Sequence, residues 1–231
     1  YVGMAVQNKS MTESMASEMS KILVVAVIMI FAVLSVTTTA WTEPILFLLV
    51  MGVAVLLNKG TNIFIGTVSF LTENVSIILQ LATSMDYSIF LLDAFMNYRK
   101  QGMNEEDAII NAVQEAINSI FASSLTTVVG FLALVTMKFS IGFDLGLVLA
   151  KGIVFSLLTV VFFMPAMILK FAKLNEKTKH RSFMPDFHGL GKAIYRIRPI
   201  VFAVIVLVTP LAYTAQGLND FLYGNDSMGA S

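Results

Sequence analysis

The sequence predicts an all-α, polytopic membrane helix bundle with about six transmembrane helices. Hydrophobic residues make up 57% of the 231 positions, and the mean hydropathy is +0.80. The apolar residues are gathered in long uncharged stretches, with charged residues between them. A spanning α-helix needs about 20 apolar residues at a rise of about 1.5 Å each. The stretches are therefore candidate membrane crossings.

A tight turn is expected between the first two predicted helices. The first covers residues 22–42, since no charge lies between Lys21 and Glu43. Pro44 suits the first turn of the second helix, because its missing N–H would have no partner there. That helix is expected to run to about residue 65. The side chain of Lys59 is long enough to reach the nearby interface.

The third and fourth predicted helices contain most of the polar residues of interest. The third covers residues 74–98 and carries Asp86 and Asp93. Asn104 is expected to cap the fourth helix, and the acidic residues that follow it favour the positive end of a helix dipole. The uncharged core of this helix covers residues 116–137.

The last two predicted helices are separated by a basic linker. The fifth covers residues 143–169 and includes Lys151 and Pro165. The linker covers residues 170–198, and the sixth helix residues 199–217. We expect both termini to be extracytoplasmic, because ten of the fifteen basic residues lie in this linker or just after the third helix, and basic loops stay in the cytoplasm.

Composition argues against several classes of function. Basic and acidic residues are balanced at 15 each, and no basic face alternates with aromatic residues as in nucleic-acid binders. The chain has no cysteine, and no nucleophile with a base, metal-ligand cluster or phosphate-binding loop stands out. Neither an enzyme, a cofactor, a metal site nor a nucleic-acid partner is expected.

Asp86 is the residue that most requires explanation. It lies 12 positions after Asn74, about 18 Å along a helix that crosses a hydrocarbon layer of about 30 Å. An ionisable residue near the bilayer centre costs about 2.5–3.5 kcal/mol and is typical of proton, ion or substrate pathways. Tyr87 can present its hydroxyl beside the carboxylate, either to steady it or to relay a proton.

Two further charged residues are candidate partners of Asp86. Asp93 follows seven positions later, within about 20° of the same helical face; alternatively, it only reaches interfacial water. Lys151 is expected about 12 Å from the outer end of the fifth helix, where it could pair with Asp86 and lower the cost of burying both charges. Its alternative role is to extend its ammonium to the interface.

The fourth helix has small residues at intervals of three and four: Ser119, Ala122, Ser123, Thr126, Gly130 and Ala133. Such a stripe lets membrane helices approach closely, so packing is the first interpretation. The hydroxyls of Ser123 and Thr126 are also candidates for hydrogen bonds near the proton relay, although such hydroxyls often bond to their own helix.

Three segments in order resemble the MmpL-type transporters of the resistance-nodulation-division superfamily. Residues 79–91 (LQLATSMDYSIFL) resemble the fourth transmembrane helix of that family, and residues 124–134 (SLTTVVGFLAL) and 142–153 (GFDLGLVLAKGI) its fifth and sixth. The sequence Met164-Pro165-Ala166 also fits. Asp93 departs from the pattern, since His or Arg is expected there.

The resemblance implies a proton-motive-force-driven exporter of lipids or hydrophobic compounds, with Asp86 as proton carrier and Tyr87 as its partner. It implies a multi-pass protein of a bacterial inner or plasma membrane, in contact with membrane lipids. It also implies a second half of the transporter, which supplies a matching Asp-Tyr pair. The expected divisions are an extracytoplasmic segment (1–20), five helices (21–170), a cytoplasmic linker (171–198) and the first helix of the second half (199–231).

Two alternatives to an exporter remain open on the sequence. A sterol-sensing-type or scaffolding bundle that binds lipid between its helices would use the same small-residue stripe. A related auxiliary subunit of protein export is the other, but the residues around Asp86 resemble that branch less. A passive lipid-binding bundle needs no proton carrier, so titration of Asp86 with the proton gradient distinguishes it from an exporter.

Overall fold

The structure is a computed structural model that describes residues 4–138, 140–180 and 190–217. Within these ranges the chain forms helices and no strand, apart from one isolated bridge between Ala40 and Lys179. The predicted all-α class is confirmed. Two compact units are present, residues 1–184 and residues 185–231, and each is described by itself.

The first two helices are joined by a short turn, as predicted. Helix α1 (Met4–Thr37) begins well before the expected residue 22, because neither proline nor glycine interrupts the polar segment ahead of the apolar run. It ends before the expected residue 42, where the Glu43 carboxylate accepts the backbone N–H groups of Thr39 and Ala40 at 2.9 and 3.1 Å. Helix α2 (Thr42–Gly60) continues into a 3₁₀ turn, Thr61–Phe64.

Helices α3 (Phe70–Lys100) and α4 (Glu105–Leu134) are both longer at their N-terminal ends than the predicted apolar cores. The predicted cap is confirmed, since Asn104 Oδ1 accepts the Asp107 N–H at 2.7 Å. The loop between them passes through Gly102 with φ +88°, a backbone conformation that favours glycine. Helix α4 ends at Leu134 rather than at the expected residue 137.

The fifth predicted helix is a run of three helical segments. Helix α5 (Ser140–Leu158) leads into a π-helical segment, Thr159–Phe163, and then into α6 (Met164–Lys177). Pro165 lies at the start of α6 and has no N–H to donate, so the regular hydrogen-bond ladder is interrupted there. The predicted linker was wrong in its first part, because Lys170, Lys173 and Lys177 lie on α6.

The core of the first unit lies where α2, α3 and α5 meet. Phe47 and Met51 of α2, Leu91 of α3 and Ile153 of α5 are all buried there. Helix α4 packs against both α3 and α5. Five described helical stretches are long and apolar enough to cross a membrane: Thr42–Phe64, Phe70–Lys100, Glu105–Leu134, Ile141–Lys177 and Ile194–Gln216. The apolar part of α1, Lys21–Thr37, is shorter.

The α1–α2 turn and the C-terminal ends of α3 and α6 meet at one end of this bundle, which we call the basic end after Arg99, Lys100 and Lys179. The Trp41 N–H donates to the Thr178 carbonyl at 3.3 Å. The Arg99 guanidinium lies 3.5 Å from the Glu176 carboxylate. At the opposite end, Lys59 and Glu73 form an ion pair at 2.7 Å that joins α2 to α3.

The second unit contains helix α7 (Leu190–Gln216). It begins before the predicted residue 199 and continues through Pro199 and Pro210. The Arg198 guanidinium lies 4.1 Å from the centre of the Tyr195 ring, a cation–π contact. The expected extracytoplasmic start after residue 217 lies outside the described residues, as does the middle of the basic linker.

Candidate functional site

Asp86 and Tyr87 lie near the middle of α3 on different faces. Asp86 follows Phe70 by 16 positions in a helix of 31 residues, about 24 Å from its start. Its side chain is exposed in this chain, whereas Tyr87 is only 6% exposed and belongs to the buried core. The carboxylate therefore lies on the open face of α3 while the tyrosine packs inward.

A cleft of about 400 Å³ between α3 and α4 contains both residues. Thr83 and Phe90 complete its α3 side, and Ser119, Ile120, Ser123 and Thr127 form the α4 side. Tyr87 shares this cleft with the hydroxyl side chains of Ser123 and Thr127. Since hydroxyls both donate and accept hydrogen bonds, these groups can relay a proton.

The structure separates the two hydroxyl residues that were predicted to lie near the relay. Ser123 lines the cleft. Thr126 is exposed outside the lining of this cleft, and its hydroxyl donates to the Ala122 carbonyl at 2.9 Å. Thr127, rather than Thr126, lines the cleft together with Ser123. Positions three and four residues from Ser123 both lie near its helical face, so spacing did not distinguish Thr126 from Thr127.

The small-residue stripe of α4 is open in the part of the chain that the structure describes. Its members Ser119, Ala122, Ser123, Thr126, Gly130 and Ala133 are all exposed. The buried face of α4 is formed by other residues, among them Ala116, Ile120 and Ser124. The stripe therefore forms an open surface beside Asp86, and packing against a further helix remains a prediction.

Asp93 lies on the exposed side of α3, toward the basic end. It borders a cavity of about 190 Å³ that Thr38, Glu43 and Lys100 also line, and it does not line the cleft of Asp86. The structure thus places Asp93 on the face predicted for it, in a separate hollow.

The predicted pairing of Lys151 with Asp86 is absent. The Lys151 ammonium donates to the Asn58 carbonyl at 3.0 Å and to Asn62 Oδ1 at 2.6 Å. Among the described residues, no ion pair joins it to Asp86. Lys151 extends toward the C-terminal end of α2, whose carbonyl groups attract a cation, whereas Asp86 lies on the open face of α3.

A buried polar stripe on α3 was missed by the sequence reasoning. Its members recur every four residues and are at most 2% exposed: Thr72, Ser76, Gln80, Ser84 and Ser88. This spacing is the signal that could have identified them, since positions four apart share a helical face. At about 100° per residue, Ser84 and Ser88 lie nearly opposite Asp86 on the helix.

Hydrogen bonds from this stripe hold α3 against two neighbouring helices. Gln80 accepts from Asn58 Nδ2 at 3.0 Å and donates to the Gly152 carbonyl at 3.0 Å. Ser84 donates to Ser156 Oγ at 2.6 Å. A Cβ atom on Gly152 would lie 2.8 Å from Asn58 Nδ2, so a larger residue there would displace the Asn58 amide.

The long apolar helices and the carboxylate in the middle of α3 define a polytopic helical membrane protein with a polar site within a spanning segment. Residues 1–199 match the MMPL family, and the chain belongs to that family. The predicted resemblance to MmpL-type proteins of the resistance-nodulation-division superfamily is confirmed.

Two relatives bear names that describe them as membrane proteins. MJ1562 of Methanocaldococcus jannaschii is 39% identical over 89 residues, which are 38% of this chain and 23% of that protein. ActII-3 of Streptomyces coelicolor is 25% identical over 223 residues, 90% of this chain and 31% of that protein. The chain thus spans less than a third of the length of either relative.

Proposed function

We propose that this chain is the membrane part of a proton-motive-force-driven exporter of lipids or other hydrophobic compounds. Asp86 carries the proton, and Tyr87 relays it. The observation that supports this most is the cleft that Asp86 and Tyr87 line together with Ser123 and Thr127 of α4. A carboxylate in the middle of a spanning helix is typical of a proton pathway.

Proton movement supplies enough energy to rearrange helices. A charge that crosses a potential of 100 mV releases about 2.3 kcal/mol. When Asp86 takes up a proton it becomes neutral, and the cost of covering it with apolar surface falls. Protonation thus favours an arrangement in which the open face of α3 is covered, and proton release favours one in which it is exposed to water.

The exposed stripe of α4 supports the proposal that a further membrane helix packs beside Asp86. Small residues allow close approach of another membrane helix, and this stripe borders the cleft through Ser119 and Ser123. We propose that the second half of the transporter packs here and supplies a matching Asp-Tyr pair. Asp86 and Tyr87 then form half of a coupling site.

The basic end of the bundle is proposed to be cytoplasmic. Arg99, Lys100 and Lys179 lie there, and basic residues remain on the cytoplasmic side during membrane insertion. The α2–α3 and α4–α5 connections and both termini are then extracytoplasmic. We propose that the chain lies in a plasma membrane or a bacterial inner membrane, in contact with membrane lipids.

The test is Asp86→Asn in the full-length protein, with Glu106→Gln as the matched control. Glu106 is exposed in the first turn of α4, outside the cleft. We expect Asp86→Asn to abolish proton-driven export at normal expression, and Glu106→Gln to export like the wild type. Wild-type export by Asp86→Asn would contradict the proposal and favour a lipid-binding bundle without proton coupling.

A further inference from the structure

Two neighbouring cavities lie at the basic end of the bundle. The first, of about 190 Å³, is lined by residues of α1, α2 and α3, from Ile89 to Lys100 on α3. The second, of about 180 Å³, extends to Glu105 and Glu176 and shares Glu43, Met96 and Lys100 with the first. Since a water occupies about 30 Å³, each has room for several waters.

The first cavity contains a buried hydroxyl, that of Thr38, and a buried carboxylate, that of Glu43. Thr38 is 4% exposed, and its hydroxyl has no hydrogen-bond partner among the residues that the structure describes. Glu43 is 3% exposed, and both its backbone N–H contacts are to one oxygen, Oε2. Buried hydroxyls and carboxylates are normally satisfied by protein or water. The cavity is thus both polar and large enough for ordered water.

Asp93 connects this cavity to the open face that carries Asp86. It lines the cavity together with the charged side chains of Glu43 and Lys100. It also lies on the exposed face of α3, seven positions beyond Asp86 and past Phe90. The seven residues correspond to about 10.5 Å along the helix, too far for a direct hydrogen bond and close enough for a short chain of waters.

We propose that these two cavities form a hydrated vestibule through which Asp93 passes the proton from Asp86 to the cytoplasm. The O–H bond of protonated Asp86 breaks as a bridging water accepts the proton, and a water of the same chain protonates the Asp93 carboxylate. Asp93 then releases the proton to vestibule water, which carries it out as hydronium. Both carboxylates end ionised, and no electrons are transferred. This inference rests on the proposed function.

The first experiment tests for water in the vestibule, with or without transport. The chain contains no cysteine, so Thr38→Cys introduces a unique thiol in this part of the full-length protein, once cysteines elsewhere are replaced. A charged, membrane-impermeant methanethiosulfonate is applied to the cytoplasmic side of membrane vesicles. We expect Thr38→Cys to react, as does exposed Lys100→Cys, while Leu34→Cys, 0% exposed in the last turn of α1, does not. A Thr38→Cys thiol as unreactive as Leu34→Cys would overturn the vestibule.

The second experiment tests the proton-carrying role of Asp93 in the full-length protein. We expect Asp93→Asn to slow export by about tenfold or more, since the loss of a proton-transfer group costs about 10²–10⁴-fold. Asp93→Glu should retain export. Azide, a small weak acid that can carry protons into a hydrated site, should restore export by Asp93→Asn but not by Asp86→Asn. Glu106→Gln at the same azide concentration corrects for uncoupling.

The outcomes distinguish the inference from the function on which it rests. Wild-type export by Asp93→Asn, with Asp86→Asn inactive, would overturn the role of Asp93 and leave the proposed function standing. If Asp93→Asn is slow, azide does not restore its export and Asp93→Glu is equally slow, the effect is purely structural. That result would also overturn the role of Asp93. Normal export by Asp86→Asn would remove the proposed function itself.

Discussion

The side-chain amide of Gln80 donates a hydrogen bond to the backbone carbonyl of Gly152, 3.0 Å away. The side-chain oxygen of Gln80 accepts a hydrogen bond from Asn58 Nδ2, also at 3.0 Å. One side chain of α3 is thus hydrogen-bonded to both α2 and α5. This attachment lies on the side of α3 away from Asp86. We infer that α3 keeps its position against α2 and α5 when the contacts on the Asp86 face change.

Gln80→Leu is expected to destabilise the protein by about 1–2 kcal/mol. The substitution leaves the buried Asn58 Nδ2 without its acceptor. It also removes one of two side-chain hydrogen bonds to the Gly152 carbonyl, because Ser156 Oγ still donates to that carbonyl at 3.0 Å. Equilibrium unfolding of the full-length protein in mixed micelles measures the loss. Gln114→Leu is the matched control, because Gln114 is exposed on α4. Equal stability of the two variants would show that the bridge contributes little.

Gly146→Ala is expected to separate α4 from α5 and to lower thermal stability. A Cβ at this position would lie 2.7 Å from the Phe131 carbonyl oxygen and 2.8 Å from a methyl of Val135, and the backbone of α4 can make room only by moving. Overpacking of this kind costs about 1–3 kcal/mol. Gly52→Ala, with no atom within 4 Å of its Cβ, should be neutral or slightly stabilising. A melting temperature for Gly146→Ala at or above that of Gly52→Ala would contradict the predicted clash.

Hydropathy and local rules predicted the helices, the Asn104 cap and the position of Asp86 within a long helix, because each depends on residues close together in the chain. The direction of Lys151 could not be predicted in this way. It depends on which neighbour α5 turns toward, and Asn58 and Asn62 are far from it in sequence. The early start of α1 was missed since its first residues are polar, and hydropathy detects apolar runs only.

Tyr87→Phe is expected to lower proton-driven export by about 10²-fold, a usual contribution of a positioned proton donor or acceptor. The change removes the hydroxyl from the cleft lined by Ser123 and Thr127 but keeps the ring that packs in the core. Stability should therefore change little. Tyr98→Phe, on the same helix outside the cleft, is the control in the same export assay. Full export by Tyr87→Phe, with Asp86→Asn inactive, would show that Asp86 exchanges protons without the phenol.

Lys151→Met is expected to destabilise the protein while leaving the pH dependence of export unchanged. Its ammonium donates to the Asn58 carbonyl and to Asn62 Oδ1, and hydrogen bonds to a charged group contribute about 1.5–3 kcal/mol. Lys151 is partly exposed, so the lower end of that range is expected.

Two measurements on the full-length protein separate this role from a pairing with Asp86. Unfolding in mixed micelles gives the stability, with Lys170→Met, an exposed lysine of α6, as the control. Export measured across a pH series gives the pH dependence of transport. After correction for the amount of folded protein, the pH dependence should be the same for Lys151→Met and the wild type. A displaced profile would mean that Lys151 approaches Asp86 in another state of the transport cycle, because only a nearby charge would change the pH at which that carboxylate exchanges its proton.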